Sequence, residues 1–411
     1  MGDQELYVRS IPALRLTACV LALLLAGVAA AAATFTVNST VDAPGADTLG
    51  ASLADGVCET QHGNGICTLR AAVMEANHVP GGGAIIELPQ GTYAMTIGPV
   101  GAGSERDGSF DLAAPLQIVG EGPSASIVDG NDLDSVFVVS ADAVVLMGLG
   151  VRRGGHAGGG IRNSGNLTLE NVAVSEANGA GSRGIQNNGT LSLSHCIIAN
   201  NVLTGGAGGG ILNGATATAY IADSRIAEND ADLQGAGVLN QGEMTIERSS
   251  ILHNVTIDAG GGISNYGNLT MLNDTVANNQ SGLGMEPQGG GGGIFAGAGS
   301  TRLFNVTIAD NAAIRYHAPS GGGLQVAPSG AVFLKNSIVS GNFLGYVDEV
   351  DLSPSECFGD PLLSGDYNLI GARSTCTLTG VTDQVNSTDA DPGLGDLLPN
   401  GGFALDQFAF N

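Results

Sequence analysis

Residues 208–229 read GGGILNGATATAYIADSRIAEN, and residues 235–254 read GAGVLNQGEMTIERSSILHN. Each stretch opens on a glycine cluster with an aliphatic residue, continues through a second apolar stretch, and closes on Ile-x-x-Asn. The apolar runs are too short for free hairpins and lack the 3.6-residue period of a helix. This pattern predicts short β-strands joined by tight corners.

The same pattern recurs along much of the chain. The aliphatic residue after the glycine cluster stands at Ile161, Ile185, Ile211, Val238, Ile263, Ile294 and Leu324. Such repeats bury their aliphatic side chains by stacking, and each strand then pairs with its counterpart in the next coil. The sequence therefore predicts an all-β parallel solenoid of three-stranded coils over residues 84–345, with clear repeats over 158–345.

Six of the seven repeats end on an asparagine, which we expect to turn the chain and to stack amide on amide between coils. These corner residues are Asn201, Asn229, Asn254, Asn279, Asn311 and Asn342. The glycine clusters do not indicate phosphate binding, because they open strands rather than helices.

A second column of polar residues precedes the third strand of each repeat. It comprises Asn171, His195, Asp223, Arg248, Asn273, Asn305 and Asn336. One interpretation is a surface site in which Asp223, between two potential cations, holds an acidic sugar or acts as an acid or base. The other, which we favour, is a charged ladder that replaces an amide ladder. A glycosidase needs two carboxylates at one bond, and Glu247 should point away from Arg248 if this segment is extended.

A third column, two residues after each third-strand aliphatic, is acidic and amide-rich. Its members are Glu176, Asn200, Glu228, His253, Asn278, Asp310 and Gly341. This stripe could bind glycans or divalent cations weakly, and the alternative is simple solvation of a β-face.

The charge balance argues against nucleic-acid binding. The 411 residues include 39 acidic and 14 basic side chains, a net charge of −25 with a single lysine, Lys335. Such a chain repels a phosphate backbone. No zinc, EF-hand or calcium-repeat spacing occurs, so the sequence predicts no metal and no cofactor.

The first 33 residues have the order of an export signal. Basic residues in Met1–Arg15 precede the apolar run Leu16–Ala33, which ends in small residues. We expect cleavage near residue 33, with a retained membrane anchor as the alternative. A cleaved chain would have no transmembrane span.

Export permits disulfides, and the cysteines suggest where they form. We expect the pairs Cys58–Cys67 and Cys357–Cys376, while Cys196 is interpreted as a small packed hydrophobic residue rather than a nucleophile.

The N-terminal region carries the most specific resemblance. FTVNSTVDAP at residues 35–44, CTLRAAVMEAN at 67–77 and the following IELPQGTY resemble the CSLREA domain of secreted bacterial β-helix proteins, with Thr68 and Ala71 departing from its motif. We assign residues 34–83 to this N-terminal cap, in which 68–77 forms a short amphipathic helix with Leu69, Ala72 and Val73 on its apolar face.

Two further resemblances extend this picture. The glycine-cluster and Ile-x-x-Asn repeats resemble those of polymorphic outer-membrane proteins, which implies an adhesin-like, surface-exposed, right-handed β-helix of the pectin-lyase type. Residues 346–411 resemble the choice-of-anchor Q segment. These resemblances imply a bacterial protein that is extracellular or held at the cell surface or outer membrane.

Two functions remain open at this point. The first is a non-catalytic binding or adhesion module for glycans or cell-surface partners, since the sequence has no convincing reactive constellation. The second is a polysaccharide lyase or glycoside hydrolase, because the same solenoid carries such activities. Fold alone does not decide between them, and the near absence of lysine makes a poor groove for uronates.

Overall fold

The computed structural model describes residues 32–46, 55–100, 104–155, 158–282, 290–315, 320–346, 352–359, 362–371, 378 and 380–385. The described residues from Ala33 onward form one compact unit. All but the last two residues of the predicted signal peptide lie outside the described residues. Within the described ranges, no helix combines the length and apolar character needed to cross a membrane.

Three sheets form the walls of a parallel solenoid. Sheet A contains Thr34–Thr36, Ala84–Leu88, Phe110–Leu112, Leu116–Gly120, Phe137–Val139, Val144–Met147, Ile161–Asn163, Asn166–Glu170, Ile185–Asn187, Thr190–Ser194, Ile211–Asn213, Thr218–Ala222, Val238–Asn240, Glu243–Glu247, Ile263–Asn265, Asn268–Leu272, Ile294–Phe304, Leu324–Lys335, Cys357–Gly359 and Leu363–Ser364. Most coils contribute two of these strands.

Sheets B and C complete each coil. Sheet B contains Gly91–Ala94, Ser126–Asp129, Gly150–Arg152, Ala173–Ser175, Ile197–Ala199, Arg225–Ala227, Ser250–Leu252, Thr275–Ala277, Thr307–Ala309, Ile338–Ser340, Leu369–Ile370 and Gln384–Val385. Sheet C contains Asn178–Ala180, Val202–Thr204, Asp230–Ala231, Val255–Thr256, Gln280–Ser281, Ala312–Arg315, Phe343–Tyr346 and Ser353–Pro354. All described pairings are parallel except the one between the last two strands of sheet C.

The three-sided coil is confirmed, but its sides are divided differently from the prediction. The first two apolar stretches of a repeat belong to one sheet, and they become single strands at Ile294–Phe304 and Leu324–Lys335. The third side is sheet C, formed by residues that follow the closing asparagine. Its strands are short and partly polar, so hydrophobic periodicity does not reveal them.

Equivalent positions of successive repeats lie directly beside one another. Ile185 pairs with Ile211 in sheet A, and Ile198 pairs with Ile226 in sheet B. These four side chains are fully buried. Because side chains alternate across a strand, the neighbours of these residues point outward. Stacking therefore builds one continuous apolar core and leaves regular rows of side chains on the outside.

Two ladders of buried asparagines run along the interior corners. In the first, each Nδ2 donates to the Oδ1 of the next residue at 2.9 Å through Asn201, Asn229, Asn254, Asn279, Asn311 and Asn342. Its last amide donates to the Glu356 carboxylate at 2.8 Å. The second ladder, which the repeat pattern did not predict, joins Asn163, Asn187, Asn213, Asn240 and Asn265 and ends on the Thr301 hydroxyl.

The N-terminal helix spans Leu69–His78 and packs against the first strands of sheet A. Thr68 caps it, because the Thr68 hydroxyl oxygen accepts from the Ala71 N–H. The helix is buried on more than its apolar face: Arg70 is only 1% exposed and its Nε donates to Asp42 at 2.6 Å. The motif-bearing Arg70 is thus a buried structural residue.

Disulfide-bonded cysteines occur near both ends of the solenoid. The predicted Cys58–Cys67 bond is present, with Cα atoms 5.0 Å apart. Cys357 is also disulfide-bonded, whereas Cys376, its predicted partner, lies outside the described residues. Cys196 is a buried free thiol, and burial raises its pKa to about 12.

Candidate functional site

The polar column before the third strands forms a row on the surface, here called the corner row. Its members Asn171, His195, Asp223, Arg248, Asn273, Asn305 and Asn336 all have left-handed backbones, with φ between 48° and 60°. The N–H of Asp223 donates to the Glu247 carbonyl in the next coil at 3.0 Å, and the N–H of His195 donates to the Ala222 carbonyl at 3.3 Å. His195, Asp223 and Arg248 therefore occupy three successive coils.

Asparagine suits this row because it tolerates the left-handed region better than most residues. At one end the row is an amide ladder, in which Asn336 donates to Asn305 at 2.7 Å and Asn305 donates to Asn273 at 2.9 Å. This end is exposed, unlike the interior ladders.

The charged part of the row is a compact network on the surface. The Nε and Nη2 atoms of Arg248 donate to the two Asp223 oxygens at 2.9 and 2.8 Å. Its Nη1 donates to Glu247 at 2.8 Å, and the Tyr220 hydroxyl donates to the same Glu247 oxygen at 2.9 Å. Hydrogen bonding to Asp223 raises the pKa of Arg248. Partial burial, and then Glu247, raise the pKa of the Tyr220 phenol.

The expected orientation of Glu247 was wrong. Successive side chains point to opposite sides only along an extended strand, and the strand ends at Glu247 because Arg248 has a left-handed backbone with φ of 48°. This turn places Glu247, Arg248 and Asp223 on the same patch. A second carboxylate therefore does accompany Asp223, and sequence alternation missed both Glu247 and Tyr220.

The arrangement restricts what the patch can do chemically. Arg248 lies between the two carboxylates and hydrogen-bonds to both, so it occupies the space in which a scissile bond would have to lie. Tyr220, with its raised pKa, is protonated at neutral pH and already donates to Glu247. The network links neighbouring coils, and its donors and acceptors hydrogen-bond to one another.

Beside the corner row lies the outer face of sheet A, defined here by the outward side chains of the second strand of each coil. Tyr220, Thr245, Thr270, Arg302 and Phe333 form one row across successive coils. A neighbouring row contains Glu247, Leu272, Phe304 and Lys335.

This face combines apolar and polar groups. The Phe304 and Phe333 rings are 5.7 Å apart, and Tyr220 is 40% exposed. At its far edge, Asn268 donates to Glu243 at 2.8 Å and accepts from Ser300 at 2.9 Å. The face thus offers one ring at Tyr220 and a pair of rings at Phe304 and Phe333, with the hydroxyl groups of Thr245 and Thr270 in the two coils between them.

The third column is a corner rather than a β-face. Glu176, Glu228, His253 and Asp310 have left-handed backbones with φ from 54° to 58°. The N–H of Glu176 donates to the Asn200 carbonyl in the next coil at 3.2 Å, so the column is a second row along a corner. Its weak binding of glycans or divalent cations stays a prediction.

Two buried carboxyl groups were not predicted as distinctive. Asp274 accepts from the N–H groups of Ser249 and Leu272 at 2.7 and 2.8 Å, and burial raises its pKa to about 8. Burial raises the pKa of Glu356 to about 7. Both serve interior hydrogen bonds. Among the residues that the structure describes, no three His, Cys, Asp or Glu side chains cluster as metal ligands.

Comparison with known proteins supports the fold. Residues 134–313 match a family model described as a right-handed beta helix region, so the solenoid is of the right-handed type. None of the curated proteins matches the chain.

Two solved structures are similar in fold. Pectate lyase Pel9A has 16% identity and a TM-score of 0.44, with 86% of this chain and 78% of that chain covered. A mannuronic-acid-specific family 6 polysaccharide lyase from human gut microbiota has 9% identity and a TM-score of 0.36, with 75% and 78% covered. Likeness at this level does not assign a site.

Proposed function

We propose that this protein is an extracellular, non-catalytic module that binds extended neutral glycans on the outer face of sheet A. The observation that carries the proposal is the chemistry of that face, which places Tyr220 and the Phe304–Phe333 pair among hydroxyl and amide groups. Aromatic rings pack against the C–H faces of sugars, and amides and hydroxyls bind sugar hydroxyls. The row spacing suits an extended polymer that contacts one coil after another.

The charge of the chain selects neutral over acidic glycans. A net charge of −25 repels polyanions at a distance. Of the cations on or beside this face, Arg248 is already bound by Asp223 and Glu247. Arg302 and Lys335 remain exposed, too few to neutralise a polyuronate. The repeats resemble those of polymorphic outer-membrane proteins, which are adhesin-like. This resemblance agrees with binding rather than turnover.

Location outside the cell is part of the same proposal. The predicted secretory signal over residues 1–33 and the disulfide between Cys58 and Cys67 both fit an oxidising compartment. The resemblances to the CSLREA and choice-of-anchor Q segments support attachment to a bacterial surface.

Affinity electrophoresis against neutral and acidic polysaccharides tests the proposal. We expect retention by a β-glucan, a mannan or a xylan and none by polygalacturonate or alginate. The Tyr220→Thr variant should bind about tenfold more weakly, because it loses one stacking ring while threonine suits the strand. Ile197→Thr makes a similar change on the outer face of sheet B and should bind as the wild type does. Equal retention of the Tyr220 variant would contradict this location.

One observation favours hydrolysis as a second candidate: Glu247 and Asp223 lie on the same patch. Reducing-sugar and unsaturated-product assays on all these glycans distinguish the two functions. We expect no turnover from the wild type, from Asp223→Asn or from Glu247→Gln, and Asp223→Asn should leave binding intact. Turnover that either substitution abolishes would make the protein an enzyme.

A further inference from the structure

The corner row continues beyond the asparagines. The N–H of Asn336 donates to the Asp366 carbonyl at 3.1 Å, which places Tyr367 at the next position of the row. Leu369 pairs with Ile338 and then with Gln384 in sheet B. In the same register, Thr382 occupies the position of the corner row after Tyr367. The Thr382 hydroxyl oxygen accepts from the Tyr367 N–H at 3.1 Å.

Tyr367 is unusual for this row. Its backbone is left-handed, with φ of 64°, and the preceding Asp366 has φ of 71°. A bulky residue is strained in this region, where the corner row from Asn171 to Asn336 has Asn, His, Asp or Arg. The side chain is 67% exposed, so burial of its ring does not offset the strain. Hydrogen bonds from the Val381 and Thr382 N–H groups to Asp366 hold the turn.

Tyr367 borders a cleft of about 370 Å³. Ile338 and Leu369 give it an apolar floor, and Asn336, Thr382 and Gln384 add amide and hydroxyl groups. No charged side chain of the described residues lines it. Among the described residues, none hydrogen-bonds to the Gln384 amide or the Tyr367 phenol, so both are available to a ligand.

The geometry points to a second binding site, in which this cleft holds one or two sugar units of a neutral glycan against the Tyr367 ring. The uncharged lining favours a neutral ligand, and the volume lies at the lower end of small-molecule sites. An apolar floor beneath an aromatic wall suits the C–H face of a pyranose, while the amides and the hydroxyl suit its polar edge. This inference takes its ligand class from the proposed function, but the cleft lies on the sheet B side of the corner row.

Saturation-transfer NMR with the methyl glycosides of glucose, galactose, mannose and N-acetylglucosamine tests this site on the full chain. We expect at least one glycoside to bind, with the signal centred on its ring C–H groups. Tyr367→Asn should weaken that binding at least tenfold. Its thermal midpoint should be unchanged or higher, because asparagine is better tolerated in a left-handed backbone. A loss of binding without a loss of stability would separate recognition from folding.

Gln384→Ala provides a second variant at an exposed position and should weaken the same glycoside severalfold. Failure of every glycoside to bind the wild type overturns the inference, as does equal binding by Tyr367→Asn. Tyr220→Thr serves as the matched control, since it should leave glycoside binding unchanged while weakening polymer retention. If polymers bind through Tyr220 but glycosides do not bind, only this inference fails. If glycosides bind through Tyr367 and polymer retention does not depend on Tyr220, only the proposed glycan binding on the outer face of sheet A is contradicted.

Discussion

The interior ladder that begins at Asn201 and the corner row that begins at Asn171 place polar side chains at the same one-coil interval, yet they differ in composition. Six successive asparagines form the interior ladder, whereas the corner row replaces three of its asparagines by His195, Asp223 and Arg248. The interior amides are fully buried, while Arg248 is half exposed. A buried polar group without a partner costs far more than an exposed one, so burial makes the interior amide obligatory.

The two rows also differ in direction. In the interior ladder each amide donates toward the C-terminus, and the last one meets Glu356, a carboxylate that only accepts when ionised. In the corner row, Asn336 and Asn305 donate toward the N-terminus. A buried ladder needs a matching terminal acceptor, whereas water can complete an exposed one.

The largest expected effect on stability comes from the substitution of asparagine by aspartate, made once in the interior ladder and once in the corner row. The amide nitrogen of Asn254 donates to the Ile226 carbonyl and to the Asn279 amide oxygen. Asn254→Asp replaces this nitrogen by a buried carboxylate oxygen. We expect unfolding free energy to fall by about 3–5 kcal/mol. Asn305→Asp makes the same change at an exposed position and should cost less than about 1 kcal/mol. Urea unfolding followed by circular dichroism measures both, and equal losses would contradict the role of burial.

A smaller effect is expected from pH at the end of the interior ladder. Burial raises the pKa of Glu356 from its ordinary value of 4.5 to about 7 in the folded protein. Folded Glu356 therefore keeps its proton up to about pH 7. The folded state therefore binds more protons than the unfolded chain between these values, and stability should fall as pH rises through them. Asp274, with a pKa of about 8, acts in the same direction.

Thermal midpoints measured from pH 5 to pH 8 test this dependence. Glu356→Gln, which resembles the protonated carboxyl at every pH, should flatten the profile. Asp142→Asn removes one exposed carboxylate and should leave the profile as in the wild type. An unchanged slope in the Glu356 variant would remove that carboxyl as the cause.

The smallest effect is expected at the charged part of the corner row. Asp223→Asn removes the bidentate partner of Arg248 and should lower unfolding free energy by less than about 1 kcal/mol, because both side chains are partly exposed. The difference should shrink further in 1 M salt. A loss as large as that of Asn254→Asp would show that the network, rather than the buried ladder, governs stability.

Sequence periodicity predicted the stacked coils because each inward aliphatic must recur at one coil interval. It could not find sheet C, since Val255–Thr256 and similar strands are short and partly polar. The patch around Asp223 was predicted only in part. Its three row members follow from repeat alignment, but Tyr220 and Glu247 join them through a left-handed turn at Arg248 that alternation does not anticipate.

The amino-acid sequence by itself determined the parallel solenoid, the Cys58–Cys67 bond and the columns in which polar residues recur, because burial and chain reversal impose a period on the residue types. Tertiary structure alone decided which columns lie inside, which carboxylates share Arg248, and that Tyr367 stands over a cleft beside Gln384. Those outcomes depend on backbone direction at single corners and on neighbours from other coils, neither of which a local pattern of residues contains.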